Sequence, residues 1–268
     1  MIKSAARTLG ICSGKGGVGK TYCAINLAKS ISRKGKKVLL IDCDFNLGNC
    51  AFLLGQKNYK TLVNISDGEK IEDCIEQLKY FDFIGAESGD MNILDGKVNL
   101  TEVLLKVIMK LQSYYDYILL DFGAGLDKKL LNILAYCDYR FVVVNSNNLS
   151  LKDSYAMMKV LKNKYGTNDF NILSNKLSAP KDFKKIENII NQMNNRFLKA
   201  EITYTPPIYV QDEVPDQGGW SKFRERVSAQ SCFDKVIKNF FDNFDEVELP
   251  FWNTPQKQDA FFARLRSN

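Results

Sequence analysis

Ser13-Gly14-Lys15-Gly16-Gly17-Val18-Gly19-Lys20-Thr21 is the stretch that decides the fold. It fits Gly, four residues, then Gly-Lys-Thr, the spacing of a loop that cradles a chain of phosphates. The apolar run Leu9 to Cys12 before it reads as a strand. The run Tyr22 to Ile31 after it carries Ala24, Ile25, Leu27, Ala28 and Ile31 at helical spacing. Glycines at 14, 16, 17 and 19 remove the side chains that would stop a backbone from wrapping an anion, and they permit positive φ. Successive N–H groups then point inward at the positive end of a helix. In this pattern Lys20 reaches the β- and γ-phosphates and the Thr21 hydroxyl ligates Mg²⁺. A glycine-rich turn without a ligand is the alternative, and the strand before and helix after speak against it.

Working outward, 268 residues with 45% apolar content can bury a large core. Without a proline- or serine-rich linker, one α/β domain is expected over residues 1–250, followed by a tail, 251–268. No apolar run approaches the roughly 18 residues of a spanning helix, and the N-terminus lacks a signal-peptide core. A soluble, cytoplasmic protein is the expectation. The seven cysteines are odd in number and include no Cys-x-x-Cys pair, which argues against a disulfide framework and against a zinc or iron–sulfur site. Buried thiols are the simpler reading. With no histidine, imidazole acid–base chemistry is excluded, so hydrolysis would rest on carboxylates, lysines, backbone and metal. The net charge of +6 permits contact with anionic lipid or nucleic acid without demanding either.

Two further runs end in carboxylates. Val38 to Ile41 leads into Asp42-Cys43-Asp44, and Tyr117 to Leu120 leads into Asp121-Phe122-Gly123-Ala124-Gly125. Short apolar runs of this kind are buried parallel strands, whose carboxyl ends collect ligands. The pattern therefore predicts a doubly wound, mostly parallel sheet flanked by helices, with the acids beside the phosphate loop. A turn rich in Asp and Asn is the alternative at 42–49. Gly123 and Gly125 would let their loop close on a γ-phosphate and move when it leaves.

Tyr80 to Ala86, Tyr139 to Val144 and Phe170 to Ser174 read as further strands, with a turn at Glu87 to Asp90. Helices are expected over Leu100 to Leu111, Lys181 to Leu198 and about Ser221 to Phe244, and short helical pieces over Thr61 to Leu78. Basic residues gather at Lys181, Lys184, Lys185, Lys222, Arg224 and Arg226, where a solvated helix face is the default reading.

Lys15 is not required by the general loop pattern. In Gly-Lys-Gly-Gly-Val-Gly-Lys-Thr it resembles the deviant Walker A signature of the MinD/ParA ATPases. That resemblance covers most of residues 8–210. It implies a slow, partner-stimulated ATPase using ATP and Mg²⁺, in which Lys15 reaches the nucleotide of a second subunit, so that ATP binding and homodimerisation are one event. It makes Lys15, Lys20 and Asp44 catalytic, with Asp44 positioning the attacking water. It places Gly14, Lys15, Gly16, Gly17, Val18, Gly19, Lys20, Thr21 and Tyr22 on the nucleotide, and Thr21, Asp42 and Asp121 at the metal. Asn175-Lys176 resembles the family's Asn-Arg after a buried strand and makes Asn175 the adenine contact, with Pro206 and Pro207 as walls. Asn46 and Ala51 depart from the family's glycine and aspartate.

Asp121-Phe122-Gly123-Ala124-Gly125 and Leu151 to Lys159 resemble the flagellar branch, FlhG, FleN or YlxH, although Tyr155, Met158 and Leu161 also suit a core face. That branch implies control of flagellar number or placement and a partner such as the GTPase FlhF. In the tail, Phe261, Phe262 and Leu265 would share a helix side flanked by Arg264 and Arg266, a match for the inner face of a membrane. The alternatives are packing of that tail on the domain, a division-site regulator of the MinD type, and a ParA-like partition protein that binds DNA.

Overall fold

The computed structural model describes residues 5–45, 48–57, 59–86, 99–125, 128–210 and 227–244. The turn expected at Glu87 to Asp90, the departure at Asn46, the basic residues Lys222, Arg224 and Arg226 and the whole tail 251–268 lie outside them.

Among the described residues eight strands form one sheet in the order β3-β4-β2-β5-β1-β6-β7-β8. They are β1 (Arg7–Ser13), β2 (Val38–Cys43), β3 (Glu76–Gln77), β4 (Asp82–Ile84), β5 (Tyr117–Ala124), β6 (Tyr139–Val144), β7 (Asp169–Ser174) and β8 (Glu201–Tyr204). All neighbours run parallel except β3, which pairs antiparallel with β4. The sheet is doubly wound: from central β1 the chain moves to β2, returns to insert β5 between them, then continues through β6 on the other side. The loop after β1 therefore leaves the sheet at its topological switch point, where ligands of such folds bind.

Residue alternation assigns each strand two buried faces. Leu39, Ile41, Ile118 and Leu120 face one core with Val142, Val144 and Ile172, while Val38, Leu40, Tyr117 and Leu119 face the other with Leu9, Phe141 and Leu173. The first core is closed by α4 (Leu100–Leu111), α6 (Asn148–Tyr165) and α7 (Pro180–Met193), with α5 (Lys128–Ala135) and short α3 (Leu62–Ser66) beside them. The second is closed by α1 (Lys20–Arg33) and α8 (Val227–Phe244), with short α2 (Cys50–Leu54) at its edge. Phe240 of α8 meets Tyr139 and Phe141 at centroid distances of 4.7 and 5.6 Å, and Phe233 meets Tyr22 at 5.6 Å. The Ser30 hydroxyl adds a 2.7 Å hydrogen bond to the Asp234 carboxylate.

Local chemistry sets the helix ends. The Asn147 side chain accepts from the Leu149 and Ser150 N–H groups at the start of α6, and Gly166, with φ +75°, closes it. The helix expected over Lys181 to Leu198 stops being regular at Met193 and passes into a π turn, Asn194–Leu198. Asn194 is the reason. Its side-chain oxygen accepts from the Ala200 N–H at 2.8 Å and its Nδ2 donates to the Ala200 carbonyl at 3.0 Å, an exchange that replaces the helical ladder. The strand expected over Tyr80 to Ala86 is shorter, Asp82–Ile84, since the chain turns at Tyr80 and Phe81 to pair β3 with β4. Strands β3 and β8 and helices α2 and α5 are too short or too weakly patterned to stand out in the sequence. All seven cysteines are free thiols, and six are buried.

Candidate functional site

The loop Gly14 to Gly19 crosses the carboxyl end of β1 and enters α1 at Lys20. Two of its glycines are left-handed, Gly17 at φ +77° and Gly19 at φ +95°. Gly14 is glycine for a different reason. A methyl group there would lie 2.1 Å from the Asp153 carbonyl carbon and 2.2 Å from the Ser154 nitrogen, so the α6 backbone packs directly on the loop. The Gly14 N–H donates to the Ser154 hydroxyl at 3.3 Å, and the Ser13 hydroxyl donates to the Lys15 carbonyl at 2.7 Å. Val18 and Lys20 are buried; Lys15, Thr21 and Tyr22 are half-buried.

The carboxylates converge as neighbouring strands require. Asp42 and Asp121 are paired in register on β2 and β5, two strands and one strand over from the loop. Both are 1% exposed. Asp42 is held by the backbone: its oxygens accept from the Asp44 N–H at 2.9 Å and the Cys50 N–H at 3.3 Å. Burial, then the Asp121 charge, pushes its carboxyl well above the ordinary range against those bonds. Burial also pushes Asp121 up, to about 6, although its hydrogen bonds with the Thr21 hydroxyl and the Cys50 thiol and the charge of Lys20 oppose this. The thiol donates to Asp121 Oδ2 at 3.6 Å. Asp121 Oδ1 is buried without a hydrogen-bond partner among the described residues.

Two adjacent acids, each raised by burial, beside a threonine hydroxyl and with one orphaned oxygen, suit a hard divalent cation that accepts oxygen ligands. Mg²⁺ fits this donor set. Asp44 stands at the rim, half-buried, against Gly123. A methyl on that glycine would lie 3.1 Å from Asp44 Oδ1, so the β5 end passes close beside this carboxylate. Gly125, at φ +102°, then turns the chain back so that its N–H donates to the Ser13 carbonyl at 3.4 Å.

Asn175 also reaches the loop, but by a contact that the sequence does not suggest. It is 2% exposed, and its Nδ2 donates to the Val18 carbonyl at 2.9 Å. The next residue, Lys176, donates from Nζ to the Gly17 carbonyl at 2.9 Å. Pro206 and Pro207 border the same strand end, where the Ile208 N–H donates to the Ser174 carbonyl at 2.8 Å. The site therefore gathers Ser154, Cys50 and Lys176 beside the residues chosen from sequence. Ser154 lies within the helix pattern Leu151 to Lys159, but its role depends on α6 crossing the loop, which a helical period does not encode.

An AAA domain family model matches residues 6–172, more than half of the chain and all of this site except Asn175, Lys176 and the two prolines beside them. The chain belongs to that family. Its relatives place it in the MinD/ParA group of P-loop ATPases. It is 25% identical over 210 residues to the antiactivator FleN of Pseudomonas aeruginosa, covering 78% of this chain and 75% of the relative. To the flagellum site-determining protein YlxH of Helicobacter pylori it is 28% identical over 207 residues, covering 75% and 69%. The fold of this MinD/ParA ATPase is similar to that of the septum site-determining protein MinD complexed with Mg-ADP from Pyrococcus horikoshii. The TM-score is 0.69 at 21% identity, covering 88% of this chain and 96% of that one. No helix among the described residues is long and apolar enough to cross a membrane.

Proposed function

We propose that this MinD/ParA ATPase hydrolyses ATP slowly as an ATP-bound homodimer, docks on the inner face of the cell membrane, and sets flagellar number or placement. The observation that carries the hydrolytic reading is the convergence of the phosphate loop with Asp42 and Asp121, one of whose oxygens lacks a partner among the described residues. The similarity to FleN and YlxH supports the flagellar role.

Each residue has a task in this reading. The N–H groups of Gly14 to Gly19 and the Lys20 ammonium bind the phosphates. Lys15 extends to the nucleotide of a second copy, so that assembly and nucleotide binding are linked. Thr21, Asp42 and Asp121 hold Mg²⁺, which when bound neutralises developing phosphate charge. Asp44, at the rim against Gly123, orients the attacking water and accepts its proton. One domain to residue 250 carries this chemistry, and the tail 251–268 carries the membrane contact, strengthened when two tails act together. FlhF or another flagellar regulator is the partner class implied, and DNA is the alternative target.

The test is ATP-dependent dimerisation and vesicle binding of the wild type, Lys15→Ala and Asp44→Ala. Lys15→Ala abolishes dimerisation and turnover; Asp44→Ala accumulates as a vesicle-bound dimer that loses vesicle binding when residues 251–268 are deleted. A monomeric Asp44→Ala protein with ATP bound would falsify the model, and salt-sensitive binding to random-sequence DNA without vesicle binding would replace its membrane half with partition-type chemistry.

A further inference from the structure

We infer that Asn175 and Lys176 are positioning residues that hold the phosphate loop in its anion-binding shape from behind, before nucleotide arrives. This rests on the nucleotide reading above and assigns Asn175 a task other than reading the base.

In a trans peptide the C=O of one residue and the N–H of the next point in opposite directions. Fixing the carbonyls of Gly17 and Val18 outward therefore turns the N–H groups of Val18 and Gly19 inward, toward the phosphate cradle. Consecutive side chains fix those two carbonyls: Lys176 Nζ donates to Gly17 and Asn175 Nδ2 to Val18, each at 2.9 Å. Gly19 accommodates the arrangement, because a methyl there would sit 2.4 Å from Asn175 Nδ2, and its φ of +95° suits glycine alone.

The root of the clamp is equally constrained. Lys176 is one of two non-glycine residues with positive φ among the described residues, at +57°, a conformation that disfavours lysine. Its neighbours hold it there. The Asn175 N–H donates to the Val144 carbonyl at 2.8 Å and the Leu177 N–H to the Ile208 carbonyl at 3.1 Å, tying the dipeptide to β6 and to the segment after β8. This left-handed turn sends two successive side chains to two successive carbonyls, which an extended dipeptide, with its side chains on opposite faces, cannot do.

A contact to the base and a clamp on the loop differ in which ligand feels them. Calorimetric titration of Mg²⁺-tripolyphosphate and of Mg-ADP into the wild type, Lys176→Met and Asn175→Ala separates the two. The clamp predicts that each variant weakens both ligands by the same factor, about three- to tenfold for one lost hydrogen bond. It also predicts lower backbone ¹⁵N order parameters at Val18 and Gly19 of the nucleotide-free protein. Lys176 is exposed, so Lys176→Met folds even if Asn175→Ala does not. Lys176→Arg keeps a donor at the same backbone position and restores most of the affinity. Lys176→Gly relieves the backbone and raises Tm while still weakening tripolyphosphate, a pairing that a merely structural role does not give. ADP weakened with tripolyphosphate unchanged, or unaltered order parameters at Val18 and Gly19, overturns the inference. A wild-type chain that takes neither ligand ends the nucleotide reading, and the order parameters alone then decide the clamp.

Discussion

The two ends of the central sheet carry similar residue types and treat them in opposite ways. At the amino ends, charged and polar groups are matched to partners. The Asp138 carboxylate accepts from the Thr8 N–H at 2.7 Å and the Thr8 hydroxyl at 2.8 Å, while Asp116 accepts from the Lys37 N–H at 2.6 Å. Asp82 accepts from the Tyr115 hydroxyl at 2.7 Å. Arg140, 5% exposed, directs its guanidinium to the carbonyls of Ala135, Cys137, Asp138 and Asp169 and to the Asp169 carboxylate. At the carboxyl ends, Asp42 and Asp121 are buried side by side, both pushed upward by burial, with one oxygen left without a partner among the described residues. One end is built for stability, and the other keeps a charge imbalance that a cation can relieve.

The largest expected effect breaks the stable end. Arg140→Ala leaves several inward-facing carbonyls without their donor and lowers stability by about 4 kcal/mol. Urea unfolding measures this, and Mg-ADP affinity of the folded fraction stays unchanged because the site is distant and shares no partner with Arg140. A parallel loss of affinity would show that the ends are coupled.

The second prediction concerns the imbalance itself. With its folded value near 6 against an ordinary 3.8, Asp121 holds its proton in the native state over a range where the unfolded chain has lost it. Its stabilising share is therefore complete below about pH 4 and lost as pH rises through 6. A shift of that size corresponds to about 3 kcal/mol. In EDTA, stability should fall across this window, and Asp121→Asn should flatten the fall, raise Tm at pH 7 and abolish the Mg²⁺ dependence of ADP binding. A metal-free protein that gains stability over the same window would contradict the burial of an unmatched pair.

The smallest effect sharpens the comparison at one atom. Cys50→Ala removes the thiol donor to Asp121 Oδ2, a weak bond whose loss costs on the order of 0.5 kcal/mol. Because that bond holds Asp121 down, its titration moves further upward in the variant, which carboxyl-resolved NMR can follow.

Much of this was legible in the sequence, for physical reasons that vary along the chain. Leu100–Leu111 and Tyr139–Val144 match their expected bounds because apolar spacing in a well-buried helix or strand reports directly on burial. The phosphate loop and the acids at 42, 44 and 121 were visible because parallel strands bring their carboxyl ends together. Helix α7 and its π turn were not separable, since the exchange between Asn194 and Ala200 ends the ladder without any change in apolar period. Short β3 exists because β4 offers it an edge, and no two-residue strand has a period of its own.

By itself, then, the sequence determined the glycine-rich loop, the sheet that carries it and the acids beside it. Those are local patterns: glycine conformational freedom, burial period and the register of short strands. Tertiary structure alone decided that α6 lies against Gly14, that the Cys50 thiol meets Asp121, and that Asn175 and Lys176 grip the carbonyls of Val18 and Gly17. Each of these contacts joins residues 71 to 159 positions apart. Their distances depend on how layers pack, and no spacing along the chain encodes that.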